Sequence, residues 1–299
     1  ELFLLLILLA FCALGAVFII LKVAFAWGTW LASIDRTKPI VAPTTIDNSF
    51  YDNFDPEASI DYWWSLSGPL GSLHEINPPR IEYFDEVIQS KFAGRDRSEI
   101  QIVDIGCGGG ILTEALAKLG YSITGIDMSP HSITAARIHA KQEGVAVQYL
   151  VGNAYDVCPD IMAPQSVDCV IMSDVLEHLH DLPRTFSQVH QLLRPNGLFC
   201  FDTINRTLAS AVITIGVAQE LTSIVPKNTH DWQMFIKPYE LTNLAGTHGF
   251  YAPTKWRGLV PATPLPLLGL RIVSGKSLGK FKISASDLST SYFGYCVKK

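Results

Sequence analysis

The stretch QIVDIGCGGG constrains this chain more than any other: an apolar strand carrying Asp104 runs into Gly106, Gly108, Gly109 and Gly110, and then into a helix-forming run. Glycine is needed where the backbone turns sharply at a strand end and lets a ligand approach closely. As a GxGxxG string the match is a near miss, and a glycine turn alone serves many nucleotide-binding folds. Asp127, closing the next strand about 20 residues after Gly106, narrows the choice, because a carboxylate there accepts the hydroxyls of a bound ribose. Structural roles stay open for both acids: Asp127 as a cap on the following turn, and Asp104 as a holder of the glycine loop through backbone hydrogen bonds. Either role is compatible with ligand binding.

Strand-like and helix-like stretches alternate around this turn. The pattern predicts strands at Ile100–Ile105, Ser122–Ile126, Val147–Val151, Val167–Met172 and Gly197–Asp202, and helices at Leu112–Leu119, Ser132–Glu143 and Leu182–Leu193. Such alternation implies an α/β fold, a doubly wound, mostly parallel, Rossmann-like sheet covered by helices. The DxGxGxG string followed by GID resembles class I methyltransferases, which use S-adenosylmethionine as methyl donor.

The amino-terminal part is of a different character. From Leu2 to Leu21 no residue is charged, and after Lys22 the apolar run resumes to Ile34. About 20 such residues suffice to cross a hydrocarbon core of about 30 Å, so a transmembrane helix is expected over 1–34, with a buried hairpin helix as the alternative. Residues 35–50, with two prolines and little periodicity, read as a linker, and 51–299 as the methyltransferase domain. Lys22, Arg36 and Lys38 place the domain on the cytosol-like or matrix-like face, with Trp27 and Trp30 at the interface. The expectation is a single-pass membrane protein, of the mitochondrial inner membrane with its domain on the matrix side. The cysteines (Cys12, Cys107, Cys158, Cys169, Cys200 and Cys296) form no CxxC pair and fit a reducing compartment. A net charge of −5 argues against nucleic acid as a partner. Lys255, Arg257, Arg271, Lys276, Lys280 and Lys282 face either anionic lipid headgroups or plain solvent.

Over about residues 51–240 the sequence resembles the ubiquinone-biosynthesis O-methyltransferases, which methylate polyprenylated catechols. The resemblance is carried by FDPEASIDYWWSLSGPLGSLHEINPPRIEYF, VDIGCGGGILTEALAKLGYSITGIDMS, SDVLEHLHD, NRTLAS and VPKNTHDWQMFIKPYEL. It implies S-adenosylmethionine contacts at Arg80, Gly106, Asp127 and Ser173, with Gly108 and Met128 completing the donor set. An arginine suits the donor's carboxylate as a bidentate partner; the alternative is a surface Arg80 that begins a helix after Pro78 and Pro79. Asp174, Glu177 and His178 would share one face of a helix after the fourth strand. The resemblance suggests that they hold Mg²⁺ or another divalent cation which lowers the phenol pKa. The competing reading is a capping box, Asp174 as N-cap and Glu177 as its partner, which leaves His178 as the catalytic general base.

A lipophilic quinone precursor needs an apolar pocket. Leu208–Val225 is apolar with a single charge, Glu220, and reads either as a core helix or as a membrane-interface insertion that admits the lipid tail. Leu259–Leu270, with three prolines, is a candidate second apolar lip. Residues 258–299 run longer than the family's usual tail, so a second function class also stands: a methyltransferase-derived structural subunit of a membrane complex with little turnover. Expected partners are the quinone precursor, membrane lipid and other membrane or quinone-pathway proteins.

Overall fold

The computed structural model describes residues 34–41, 44, 46, 56–221, 226–263 and 279–299. The chain divides into two compact units, Glu1–Arg36 and Thr37–Lys299, and the second contains the sheet and its helices.

The strands are β1 Gln101–Ile105, β2 Ser122–Asp127, β3 Gln148–Val151, β4 Val167–Ser173, β5 Leu193–Ile204, β6 Phe250–Tyr251, β7 Arg257–Pro261, β8 Phe281–Ser284 and β9 Ser291–Lys298. The helices are α1 Pro56–Trp64, α2 Gly71–Lys91, α3 Ile111–Lys118, α4 Pro130–Gln142, α5 Leu182–Leu192, α6 and α7 Pro238–Thr247. Helix α6 opens as α-helix over Leu208–Ser210 and continues with π winding over Ala211–Leu221. One sheet runs in the order β3-β2-β1-β4-β5-β9-β7-β8, with β6 paired to β9. Strands β1 to β5 are parallel to one another, and β9 returns antiparallel beside β5.

Because successive side chains of a strand point to opposite faces, a central strand covered on both sides is apolar along its middle, as β4 is from Cys169 to Met172. Val103, Val170, Met172, Phe199 and Phe201 face one layer, where they meet Phe186 of α5 and Leu241 and Leu244 of α7. Ile102, Cys169, Ile171, Leu198 and Cys200 face the other, against Phe84 and Ile88 of α2 and Leu112 and Leu116 of α3. The expected doubly wound Rossmann-like sheet is therefore present, extended by an antiparallel carboxyl-terminal half.

The expected transmembrane helix is corrected: among the described residues no helix is long and apolar enough to cross a membrane. The single-pass membrane and mitochondrial inner-membrane placements, which rested on that helix, are corrected likewise. Residues 1–33, which carried that expectation, lie outside the described residues, as do 222–225 of the apolar segment and 264–278. Part of the stretch read as a linker is fastened to the domain. The Ile40 amide donates to the His180 carbonyl (2.8 Å), and the Thr44 hydroxyl meets His180 Nε2 (3.2 Å). Helix α2 does not begin after Pro78 and Pro79 but passes through both. Proline supplies no N–H and disfavours a helix interior. Packing offsets this: Tyr83 stacks on Phe293 at 4.6 Å, and Phe84 and Ile88 are fully buried.

The signature segments after β5 fold onto one another. Fully buried Arg206 donates to Glu240 (2.6 Å) and to the Phe235 carbonyl (2.7 Å), while Glu240 also accepts the Lys237 amide (2.8 Å). Trp232 Nε1 donates to the Thr207 carbonyl (3.0 Å), and the Tyr292 hydroxyl to that of Ile236 (2.8 Å). Removing one member of a buried ion pair strands the other charge. Glu240→Ala should accordingly destabilise the domain by about 3–5 kcal/mol, read as a fall in denaturation midpoint. The double change Arg206→Met with Glu240→Leu should cost less than the single one, and the reverse order would contradict this role for the pair.

Candidate active site

In an open α/β sheet, ligands sit outside the carboxyl ends of the strands where the strand order reverses, here between β1 and β4. A cavity of about 860 Å³ lies there. Gly106, Gly108, Asp127, Met128 and Ser129 line one part, and Ser173, Asp174, His178 and His230 another.

Asp127 serves the glycine turn directly. Its Oδ2 accepts the Gly108 amide and its Oδ1 the Ser129 amide, both at 2.9 Å, while Ser129 rather than Asp127 caps α4. Gly108 has φ +52°, and a Cβ there would lie 2.3 Å from the Trp63 ring. Both the backbone and the indole exclude any other residue. Asp104 does not hold the loop through backbone amides; it accepts the Thr113 hydroxyl at 2.6 Å. Trp64 Nε1 donates to the Gly109 carbonyl (3.0 Å), its ring lies flat on His139 (3.4 Å, 7°), and Asn77 donates to the Ile111 carbonyl (3.1 Å). The conspicuous WW and INPPR segments therefore wrap the glycine turn from outside the sheet. Sequence reading does not single out Trp63, Trp64 and Asn77, although they stand within the family signature.

Arg80 lines the cavity and is buried, so it is not the exposed start of a helix. Its Nε donates to Asp202 (3.1 Å), and its Nη2 reaches both Asp202 (2.9 Å) and Asp174. Ser173, another expected donor contact, donates its hydroxyl to Asp202. Burial pushes the Asp202 carboxyl up to about 7 despite Arg80. At Asp174 burial acts the same way, but Arg80, by charge and hydrogen bond, holds that carboxyl below its usual range. Asp202, at the carboxyl end of β5, is a site residue that sequence reading misses; nothing in FDTIN distinguishes it from an ordinary strand end.

The reading of a helix face over Asp174, Glu177 and His178 is corrected. Asp174 sits in a loop with φ +52°, and only a single 3-10 turn, Leu176–His178, follows. The capping box is absent: Val175 occupies the N-cap position, with no side-chain cap. Asp174 and His178 reach the cavity, whereas Glu177 is buried and accepts the Thr203 hydroxyl at 2.8 Å. Among the described residues no group of three His, Cys, Asp or Glu side chains could hold a metal ion. Asp174 engaged by Arg80 and Glu177 turned to Thr203 do not make the expected cation site. His178 instead faces His230, with ring centroids 5.4 Å apart.

Helix α6 borders the cavity through Ala209, Ile213 and Val217, and Leu259 and Val260 of β7 add to the same apolar wall. The described residues of 208–225 and of 259–270 thus border one cavity.

Burial, and secondarily Asp127, raise the Asp104 carboxyl from 3.8 to about 7, against the Thr113 hydroxyl and Arg80. The folded chain then holds a proton that the unfolded chain has released, so this group's stabilisation is present below 3.8 and lost as pH rises through about 7. Melting temperature should be lower at pH 8 than at pH 6, and Asp104→Asn should shrink that difference by at least ~2 °C, the shift expected for roughly 1 kcal/mol. An undiminished difference would place the pH dependence elsewhere.

The profile of the methyltransferase domain matches residues 103–201, from β1 into β5. Among solved structures, an Aquifex aeolicus SAM-dependent methyltransferase superposes with TM-score 0.51 at 12% identity, covering 83% of this chain and all of that one (100%). A Synechocystis magnesium protoporphyrin IX methyltransferase with bound SAH gives 0.50 at 16%, covering 82% and 100%. These agree on the fold. A ubiquinone biosynthesis O-methyltransferase of Colwellia psychrerythraea is 36% identical over 211 residues, 69% of this chain and 84% of that protein. One from Cereibacter sphaeroides is 33% identical over 262 residues, 86% and 98% of the two chains. Resemblance at this level across nearly the whole domain leaves one conclusion: the chain belongs to the ubiquinone biosynthesis O-methyltransferase family.

Proposed function

We propose that this protein methylates a phenolic oxygen of a polyprenylated catechol or hydroquinone in ubiquinone biosynthesis, with S-adenosylmethionine as donor. One observation carries the reading: a single cavity joins a ribose-type site at Asp127, an imidazole at His178 and an apolar wall on α6 and β7. Residues 51–299 would form the catalytic domain, with 208–225 as the insertion that receives the substrate's tail.

The donor fits the residues present. Each Asp127 oxygen accepts a backbone amide, and a carboxylate oxygen can accept a second bond, here from a ribose hydroxyl. Gly106 and Gly108 bring bare backbone to the ligand, and Met128 and Ser173 close the donor end. Arg80 would meet the donor's carboxylate. Asp202, raised to about 7, takes a proton readily and then leaves more of the guanidinium charge for that ligand. Bound S-adenosylmethionine supplies a methyl group already activated on a sulfonium. The protein has then to hold the acceptor oxygen in line, keep water away and take the phenol proton. We assign that last task to His178, the imidazole at the acceptor end.

The apolar wall suits an isoprenoid tail. Leu208 and Val212, exposed on the outer side of α6, offer apolar surface where a lipid-borne substrate would be handed over from membrane lipid or from another quinone-pathway protein.

Transfer of labelled methyl to a short-chain catechol analogue tests the reading; absence of product while the donor binds would sink it. His178→Gln should lower kcat by about 10²–10⁴-fold with donor affinity unchanged, and an undiminished kcat would free His178 of the role. Asp127→Asn should weaken donor binding, measured calorimetrically, by at least ~10-fold, since hydrogen bonds to a charged acceptor contribute about 1.5–3 kcal/mol. Unaltered affinity would remove Asp127 from the site.

A further inference from the structure

We propose that Tyr155 is a positioning residue for the reaction: its hydroxyl ties the loop that carries His178 to the loop at the donor end of the cavity, and so sets where the imidazole stands relative to the methyl donor. This deepens, and rests on, the role given to His178 above.

Two loops contribute to the cavity wall. Gly152, Asn153 and Ala154, which follow β3, line one part of it, and His178 and Leu179, which follow β4, line another. The first loop is bound to the donor end, because the Gly152 amide donates to the Asp127 carbonyl at 2.9 Å. Asn153 then turns the chain: its Oδ1 accepts the Tyr155 amide and its carbonyl the Asp156 amide, both at 3.0 Å. From that turn Tyr155 crosses to the second loop, where its hydroxyl accepts the amides of His180 (2.7 Å) and Asp181 (3.1 Å). Arg184 braces the phenol. Its guanidinium lies 5.6 Å from the ring centre, its Nε donates to the Tyr155 carbonyl (3.2 Å), and its Nη2 pairs with Asp156.

His178 stands at the end of a single 3-10 turn, Leu176–His178, after which the chain is extended at Leu179. Two bonds close that turn, from the His178 amide to the Val175 carbonyl (2.9 Å) and from the Leu179 amide to that of Leu176 (3.3 Å). So short a turn has poor hydrogen-bond geometry and little rigidity of its own. On its amino-terminal side it is anchored by the pairing of Asp174 with Arg80 and by fully buried Leu176. On its carboxyl-terminal side the anchor is Tyr155, two and three residues beyond His178. Solvent could satisfy these two amides, since His180 and Asp181 are only half buried. What the phenol adds is its origin: it comes from the loop fastened to Asp127. Methyl transfer needs the acceptor oxygen, its base and the donor in fixed relation, and a displacement of about 1 Å can cost about 10²-fold in rate.

The test is a double-mutant cycle on the full chain, following transfer of labelled methyl from S-adenosylmethionine to a short-chain catechol analogue. Tyr155→Phe, which removes one oxygen, should lower kcat by about 10-fold or more, with KM for the analogue and calorimetric donor affinity at wild-type values. Beside His178→Gln the same substitution should lower kcat no further, because residues that act as a unit are not additive. A phenol that merely supported the fold would lower kcat by the same factor in both backgrounds. An unchanged kcat in Tyr155→Phe, or a loss that persists undiminished beside His178→Gln, overturns the assignment. Should Tyr155→Phe fail to fold, Arg184→Met decides. That side chain is exposed, and removing its brace should lower kcat by a smaller factor that also vanishes beside His178→Gln; no loss, or the same loss in both backgrounds, overturns the assignment. If His178→Gln alone leaves kcat intact, or wild type transfers no methyl, the role of His178 falls first and that of Tyr155 with it.

Discussion

The arrangement of the site depends on one buried charge. Arg80 lies in the middle of α2, out of water, and a guanidinium there is tolerable only when carboxylates surround it. Burial opposes its charge, but Asp174 and Asp202 together hold it protonated. Those two acids stand at the carboxyl ends of neighbouring strands, so the ion cluster joins an outlying helix to the point where the strand order turns. The Asp174 backbone is left-handed, a conformation that asparagine and aspartate tolerate better than most residues, and the bond to Arg80 helps to keep it so. Val175 is thereby set against the glycine turn of β1, where a Cβ on Gly106 would lie 2.4 Å from its Cγ2. Donor turn, β4 loop and α2 become one mechanical unit through this guanidinium.

The outer side of the same turn is aromatic. Trp63 covers Gly108 and Gly109, and Trp64 bonds to Gly109 while stacking on His139, which Glu114 holds at 2.9 Å. Burial, above all, lifts Glu114 to about 7 and lowers His139, so the pair has little need of full charges to stay together. The indoles give the turn a rigid outer wall without introducing a charge that would compete with Asp127.

Which parts of the molecule are legible in the sequence depends on the range of the interactions that shape them. Strands β1 to β5 alternate with helices in a local pattern, and Asp127 lies one βα unit from Gly106; both can be read directly. Helix α2 is obscured because Pro78 and Pro79 carry a local penalty that only tertiary packing on Phe293 offsets. The spacing of Asp174, Glu177 and His178 suggests a helical face, but an ion pair to a residue 94 positions away and a left-handed backbone override local periodicity. Strands β6 to β9 have antiparallel partners remote in sequence, and His230 is one more residue of a signature until α6 and the loop after β4 meet around it.

The two halves of the cavity accordingly differ in kind. The half proposed for the donor is assembled from one strand, one turn and the next strand, and its requirements would be those of any ribose bound at such a turn. The half proposed for the acceptor is assembled from the loop after β4, α6, the 226–237 segment and β7, joined by long-range bonds such as Arg206 to Glu240 and Trp232 to Thr207. A change in what the protein methylates can therefore be made by altering side chains on that second set while Asp127 and the glycine turn stay as they are. Selectivity for the acceptor belongs to the part of the chain whose placement relies most on tertiary contacts, which is also where the family-specific segments outside the glycine turn are concentrated.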